Sequence, residues 1–220
     1  MRRSLSILAG CALLLAVPGV RAEEPFGAVS APVLPGGSLA LWGMGGYPEL
    51  RAGFRQGLRS FEIGAQVGFD YLEVKAYAVA ELRSRLWQGG DLQIALELAG
   101  GAFANAGARA DDTLNQPGAG LRLGIGSVLT YKTAWPISLM AFLRLPVEVP
   151  LTTRGTLRVA ALIGGAAEIA VSPSAFAVLQ VGFGPELRRL GDGPELPLVA
   201  GAQGTRLAVQ AMIGFGYRMF

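Results

Sequence analysis

The 220-residue chain contains no histidine, and its single cysteine, Cys11, lies in an apolar leader. Without histidine, the Ser-His and Asp-His arrangements of lipases, acyltransferases and proteases cannot be built. Metal centres of the His or Cys type are excluded in the same way. With Cys11 removed alongside the leader, neither disulfides nor thiol chemistry remain. Lysine is scarce, present only as Lys75 and Lys132, and no phosphate cradle is in prospect. Gly124-Ile125-Gly126 and Gly214-Phe215-Gly216 lack the strand-to-helix context and the lysine such a loop needs. Long apolar runs are also missing beyond the leader. The best candidate, residues 159–184, is broken by Glu168 and by Ser172-Pro173-Ser174, which argues against helical membrane spans of about 20 residues. The chain is therefore not read as an enzyme, and no catalytic residue, cofactor or metal site is assigned.

What is present begins with that leader. Arg2 and Arg3 precede an apolar stretch from Leu5 to Val17, and Val20-Arg21-Ala22 carries small residues where a signal peptidase cleaves. Residues 1–22 read as a Sec-type signal peptide. Leu8-Ala9-Gly10-Cys11 matches a lipobox, but the apolar run continues past it to Val17, so Cys11 sits inside the hydrophobic region rather than at its end. Loss of Arg2, Arg3 and Arg21 takes the formal charge from +3 to zero. A neutral chain offers no reason to expect a nucleic-acid partner.

The mature sequence is apolar, with mean hydropathy +0.42, and rich in glycine. Residues 23–36, with Pro25, Pro32 and Pro35, read as an extended lead-in. From residue 37 onward the dominant signal is alternation. Phe61, Ile63, Ala65, Val67 and Phe69 interleave with Glu62, Gly64, Gln66, Gly68 and Asp70, the period of a β-strand. Leu72, Val74, Ala76, Ala78, Ala80 and Leu82 interleave with Glu73, Lys75, Tyr77, Val79 and Glu81, so a hairpin turning near Asp70-Tyr71 has one oily face and one ionic face. Further segments follow at 38–45, 49–55, 92–99, 119–129, 137–145, 157–171, 177–183 and 206–219. The spacing predicts loops at 102–117, which carries Asp111-Asp112, at 148–155 and at 185–204.

When apolar residues alone set the phase of these strands, the charges inside them all fall on the opposite face. They are Arg51, Arg55, Glu62, Glu73, Lys75, Glu81, Glu97, Arg122, Arg144, Arg158, Glu168, Arg206 and Arg218. Independent placement would achieve this roughly once in 10⁴ trials. An interior lined by these residues and an exterior of leucine, valine and isoleucine is the pattern of a barrel in a bilayer. Phe69, Tyr71, Trp87, Tyr131, Trp135, Tyr217 and Phe220 lie near strand ends, where interfacial aromatics sit. The expected fold is all-β: an antiparallel up-and-down transmembrane barrel of about ten strands, with eight as the alternative. Periodicity alone leaves a soluble barrel or sandwich, turned inside out, as a competing architecture.

On this signal peptide, this alternation and the terminal Phe220, the mature chain resembles the small OmpA-like and OmpW-like outer-membrane barrels of Gram-negative bacteria. The resemblance implies an outer-membrane location, lipid contact and delivery by the barrel-assembly machinery. In that family the last strand keeps apolar residues at alternate positions counted back from the terminal aromatic. Here the apolar series is one residue out, at Met219, Tyr217, Phe215 and Ile213. Two functions are compatible: a structural or surface-interaction protein whose lumen is plugged by ion pairs, and a narrow pore preferring anions. A periplasmic barrel or sandwich binding an apolar ligand is a further alternative. Glu73 and Glu81 are expected to neutralise lumen arginines rather than to act as a catalytic pair.

Overall fold

The computed structural model describes residues 28–30, 32–58, 60–107, 114–152, 155–191 and 203–219. The signal peptide, Asp111-Asp112 and Phe220 lie outside the described residues. Eleven strand segments follow in order: β1 (Leu39–Tyr47), β2 (Glu49–Gly57), β3 (Phe61–Asp70), β4 (Lys75–Gly89), β5 (Leu92–Asn105), β6 (Gly118–Lys132), β7 (Ile137–Pro150), β8 (Gly155–Ala160), β9 (Leu162–Ala170), β10 (Ala175–Gly191) and β11 (Gln203–Met219). Each pairs antiparallel with its neighbours, and β11 returns to β1, so the sheet closes on itself. Segments β8 and β9 both run between β7 and β10 and form one strand interrupted at Ala161. The molecule is a closed ten-stranded antiparallel barrel. Residues 39–47, whose facing is ambiguous in sequence because both phases are apolar, form the strand that completes the closure.

The interruption at Ala161 has a chemical cause. The β7 ladder passes from Arg144 opposite Leu162 to Val147 opposite Val159, and the β10 ladder from Phe183 opposite Ile163 to Glu186 opposite Ala160. Pro146 and Pro185 occupy those gaps, and neither has an N–H to donate. The Pro185 carbonyl still accepts the Ala161 N–H at 3.0 Å.

Several sequence boundaries are corrected. Leu72, Glu73 and Val74 belong to a turn at residues 71–74, not to a strand. The Asp70 carboxylate accepts the N–H groups of Leu72 and Glu73, each at 3.0 Å, building the turn from a side chain. Val74 has φ of 52°, a conformation that a β-branched residue rarely adopts. The expected loop at 102–117 begins only after Asn105, the loop at 148–155 only after Pro150, and the loop at 185–204 shrinks because β10 reaches Gly191. The strands run on through Pro146, Pro150 and Pro185.

The two faces separate cleanly. Leu41, Phe54, Val67, Leu98, Ile125, Leu143, Ile163, Val181, Val209 and Phe215 stand outward and exposed, while the opposite parity is buried within the barrel. A β-bulge between Arg85 and Trp87 shifts the parity near the end of β4, turning both Leu86 and Trp87 outward. Inside, large side chains are seated against glycines on the next strand. The Tyr77 ring covers Gly68, Phe176 covers Gly216, and Phe142 covers Gly164 and Gly182. Small residues beside large ones are how a narrow barrel fills its interior. Strands β5, β7 and β10 end at one rim, here the loop end, and β2, β4, β6 and β9 end at the other, the short-turn end.

Candidate functional site

The interior of the barrel is the candidate site, because the charged residues converge there. Inward parity delivers up to three of them per strand, as Glu49, Arg51 and Arg55 on β2 and Lys75, Glu81 and Arg83 on β4, whereas β1 delivers none, and closure of the sheet brings distant strands face to face. They form two clusters.

At the loop end, Glu73 is the hub. Its carboxylate takes Lys75 at 2.9 Å and Arg158 at 3.0 Å, and it also pairs with Arg188 and Arg206. Lys75 reaches Glu148 at 3.0 Å, and Arg122 reaches the same carboxylate at 2.7 Å. Glu186 completes the group with Arg158, Arg188 and Arg206. Lys75 is only 1% exposed, so these charges neutralise one another away from water. Arg206, whose side chain is 43% exposed, marks the rim. Asn115, buried just before β6, donates to the Glu73 carbonyl at 3.4 Å.

Below it, Glu49 accepts Tyr77 Oη at 2.9 Å and Gln210 Nε2 at 2.8 Å, and pairs with Arg51. Gln180 Nε2 in turn donates to Gln210 Oε1 at 2.7 Å. The Arg122 guanidinium lies 3.7 Å from the centre of the Tyr77 ring, a cation–π contact.

The second cluster occupies the short-turn end. Arg55 lies 3.2 Å from Glu81, 3.8 Å from Glu97 and 3.9 Å from Glu62. Arg83 pairs with Glu97 and, at 3.6 Å, with Glu62, and Arg144 reaches Glu97 at 3.0 Å. Arg218 is buried at this end, opposite Ala40. Glu168 faces no lysine or arginine within ion-pair distance among the described residues. Instead it accepts backbone N–H groups from the lead-in, Val29 at 2.7 Å and Ser30 at 3.4 Å.

That last contact departs from the sequence reading. The lead-in is expected as a segment outside the barrel domain, yet its described residues 28–30 and 34 lie within the lumen. Ala28, Val29, Ser30 and Leu34 are all buried. Arg83 donates to the Ser30 carbonyl, and Leu34 N–H donates to Glu62 at 2.8 Å.

Of the charges named from sequence, Arg55, Glu62, Glu73, Lys75, Glu168 and Arg218 are buried, Arg206 is at the rim, and Glu73 points inward from a turn. Glu73 pairs with Arg158, Arg188 and Arg206, and Glu81 with Arg55. Sequence reasoning missed Glu49, Arg83, Glu148, Glu186 and Arg188. Continued parity would have found Arg83, one step beyond Glu81, and Glu148, two steps beyond Arg144. Among the described residues, no group of three or more Asp, Glu, His or Cys side chains is placed to hold a metal ion.

The lumen is not filled completely. A cavity of about 110 Å³ lies between the clusters, walled by Trp42, Met44, Val79 and several arginines. A second, of about 60 Å³, continues toward the loop end and shares Arg51, Arg122 and Gln210 with the first.

No family profile, curated protein or solved structure matches the chain significantly. The class of protein rests on architecture: a closed ten-stranded barrel, apolar outside and ion-paired within.

Proposed function

We propose that this chain is an outer-membrane β-barrel of the kind the OmpA-like and OmpW-like proteins exemplify, with a structural or surface-interaction role and a lumen closed in its resting state. The observation that carries the proposal is the reversal of faces. A belt of exposed leucine, isoleucine, valine and phenylalanine encircles the outside, while Lys75, Glu62, Glu168 and Glu186 are almost wholly buried. In water this arrangement strands a very large apolar surface and buries charge at a cost. In hydrocarbon it is the favourable one.

Aromatic placement supports the same reading. Tyr47, Phe69 and Tyr71 project outward at the loop end, and Trp87, Tyr131, Trp135 and Tyr217 at the short-turn end, as two interfacial girdles would. Strands of 14 to 17 residues from β4 through β7 and in β10 and β11 exceed the roughly 9 to 11 needed for a tilted crossing. The surplus extends the strands past the apolar belt at the loop end, where the Glu73 cluster sits.

Cell fractionation with a gel of boiled and unboiled protein tests the proposal. A band in the outer-membrane fraction whose mobility changes on boiling is the expected result. Recovery of folded protein in the periplasm without detergent would overturn it.

A further inference from the structure

The lead-in meets the barrel in an unusual way. Ala28, Val29 and Ser30 lie inside a closed sheet and belong to none of its ladders. Val29 is 1% exposed and Ser30 wholly buried. Their polar ties run to three charged side chains: Glu168 takes the N–H groups of Val29 and Ser30, Arg83 holds the Ser30 carbonyl, and Glu62 takes Leu34 N–H. The same three side chains are incompletely satisfied. Glu168 Oε2, Glu62 Oε1 and Arg83 Nε are buried and make no hydrogen bond among the described residues, although Glu62 Oε1 and Arg83 Nε face each other at 3.6 Å as an ion pair. A buried charged atom without a hydrogen bond costs free energy that contact with water would return. Burial of Val29 and Leu34, together with the charge-assisted bonds from the Val29, Ser30 and Leu34 N–H groups to Glu168 and Glu62, holds the segment in, and rehydration of the remaining atom of each charged side chain is the smaller, opposing contribution.

Release would matter because of what lies behind the segment. Ala28 and Val29 form part of the wall of the 110 Å³ cavity. From there the cavities step toward the loop end: the second shares Arg51 and Arg122 with the first, and a third, of about 10 Å³, shares Glu148 and Arg158 with the second. The first cavity presents Arg51, Arg55, Arg83, Arg122 and Arg144 against Glu81 and Glu97. The carboxylates that pair with Arg51 and Arg122, namely Glu49 and Glu148, line the second cavity rather than the first. Each of these arginines is ion-paired, but guanidinium groups outnumber carboxylates on the wall of this cavity, and that local imbalance attracts small anions.

We propose that Ala28–Ser30, with Leu34, is a displaceable plug, and that its release opens the short-turn end of the lumen to small inorganic anions of chloride size. The conductance half of this proposal rests on the membrane reading above. The plug half does not.

The mature chain has no cysteine once residues 1–22 are removed, so Val29→Cys places one thiol on the plug. In the chain from residue 23 to 220, refolded in detergent, a polar maleimide should modify this thiol slowly. Adding Glu62→Gln and Glu168→Gln, which weaken the acceptors without removing bulk, should raise the labelling rate roughly tenfold or more, as local opening becomes easier. The heat-modifiable band of the intact barrel should persist. In planar bilayers under a KCl gradient, the same double substitution without the cysteine should convert a silent protein into one passing small discrete currents with a reversal potential on the chloride side. Labelling of Val29→Cys at the unfolded rate in an otherwise unaltered chain would overturn the plug. So would protection unchanged by the double substitution. Fast labelling with no current, in protein shown to be inserted in the bilayer, would overturn the passage. Failure to insert at all would instead overturn the membrane reading, leaving the detergent result as the test of the plug.

Discussion

Lys75 and Glu148 stand 73 positions apart in the chain, yet their charged ends meet at 3.0 Å inside the barrel, with Glu73 2.9 Å from the same ammonium. Burying three charges together is tolerated because each has partners. Removing one leaves the others desolvated, which is far more costly than never having had the group.

Lys75→Met should therefore destabilise the barrel by about 3 kcal/mol, at the lower end of what breaking a buried pair costs, since Arg158 and Arg122 still face the two carboxylates. Urea unfolding in detergent micelles, followed by loss of the unboiled gel band, measures it. Lys132→Met, in a partly exposed residue at the end of β6, should shift the midpoint hardly at all. Equal effects from the two substitutions would contradict the burial argument.

The outward face is tested at Ile125, which is 47% exposed near the middle of β6. In a soluble protein an arginine at such a site costs little. Facing hydrocarbon it costs about 2 to 4 kcal/mol. Ile125→Arg should fold in micelles but lose insertion into lipid vesicles, scored by protease protection. Insertion at the original yield would count heavily against the membrane reading.

Glycine seats are tested by Gly216→Val. A side chain there would overlap the Phe176 ring, and overpacking of this kind costs about 1 to 3 kcal/mol. Phe176→Leu in the same chain should recover part of the loss. Residues in contact couple by about 0.5 to 3 kcal/mol in a double-mutant cycle, and a coupling near zero would show that the ring does not depend on Gly216.

Charge selectivity follows from the cavity lining. In the Glu62→Gln, Glu168→Gln background, Arg122→Glu should lower the preference for chloride over potassium severalfold, because fixed charge in a narrow lumen sets which ion enters. Reversal potentials in a KCl gradient measure it. A preference left unchanged would place the ion path away from Arg122.

Much of the barrel was legible because alternation is a local property. Phe61 to Phe69 declares a strand, and Glu62, Glu81, Glu97 and Arg122 declare by parity alone that they share a face. The failures have physical causes. Val74 continued the alternation of the following strand in sequence, but the Asp70 carboxylate captures the backbone of residues 72 and 73 and turns the chain there. The loops expected at 148–155 and 185–204 begin later because β7 runs to Pro150 and β10 to Gly191, with Pro146 and Pro185 accommodated opposite the interruption at Ala161. Glu148, Glu186 and Arg188 were hidden behind those boundaries. The lead-in carried no periodic signal, since its place is held by Glu168, Glu62 and Arg83, whose reach toward it is invisible in one dimension.

By itself, the amino-acid order determined the strand content and the partition of each strand into an oily side and an ionic side, because neighbouring side chains on extended backbone must point to opposite faces. Tertiary structure alone decided which side became the interior, which carboxylate met which guanidinium, and that the lead-in entered the lumen. A period of two carries no sign of curvature, and contacts across a barrel depend on how its sheet closes.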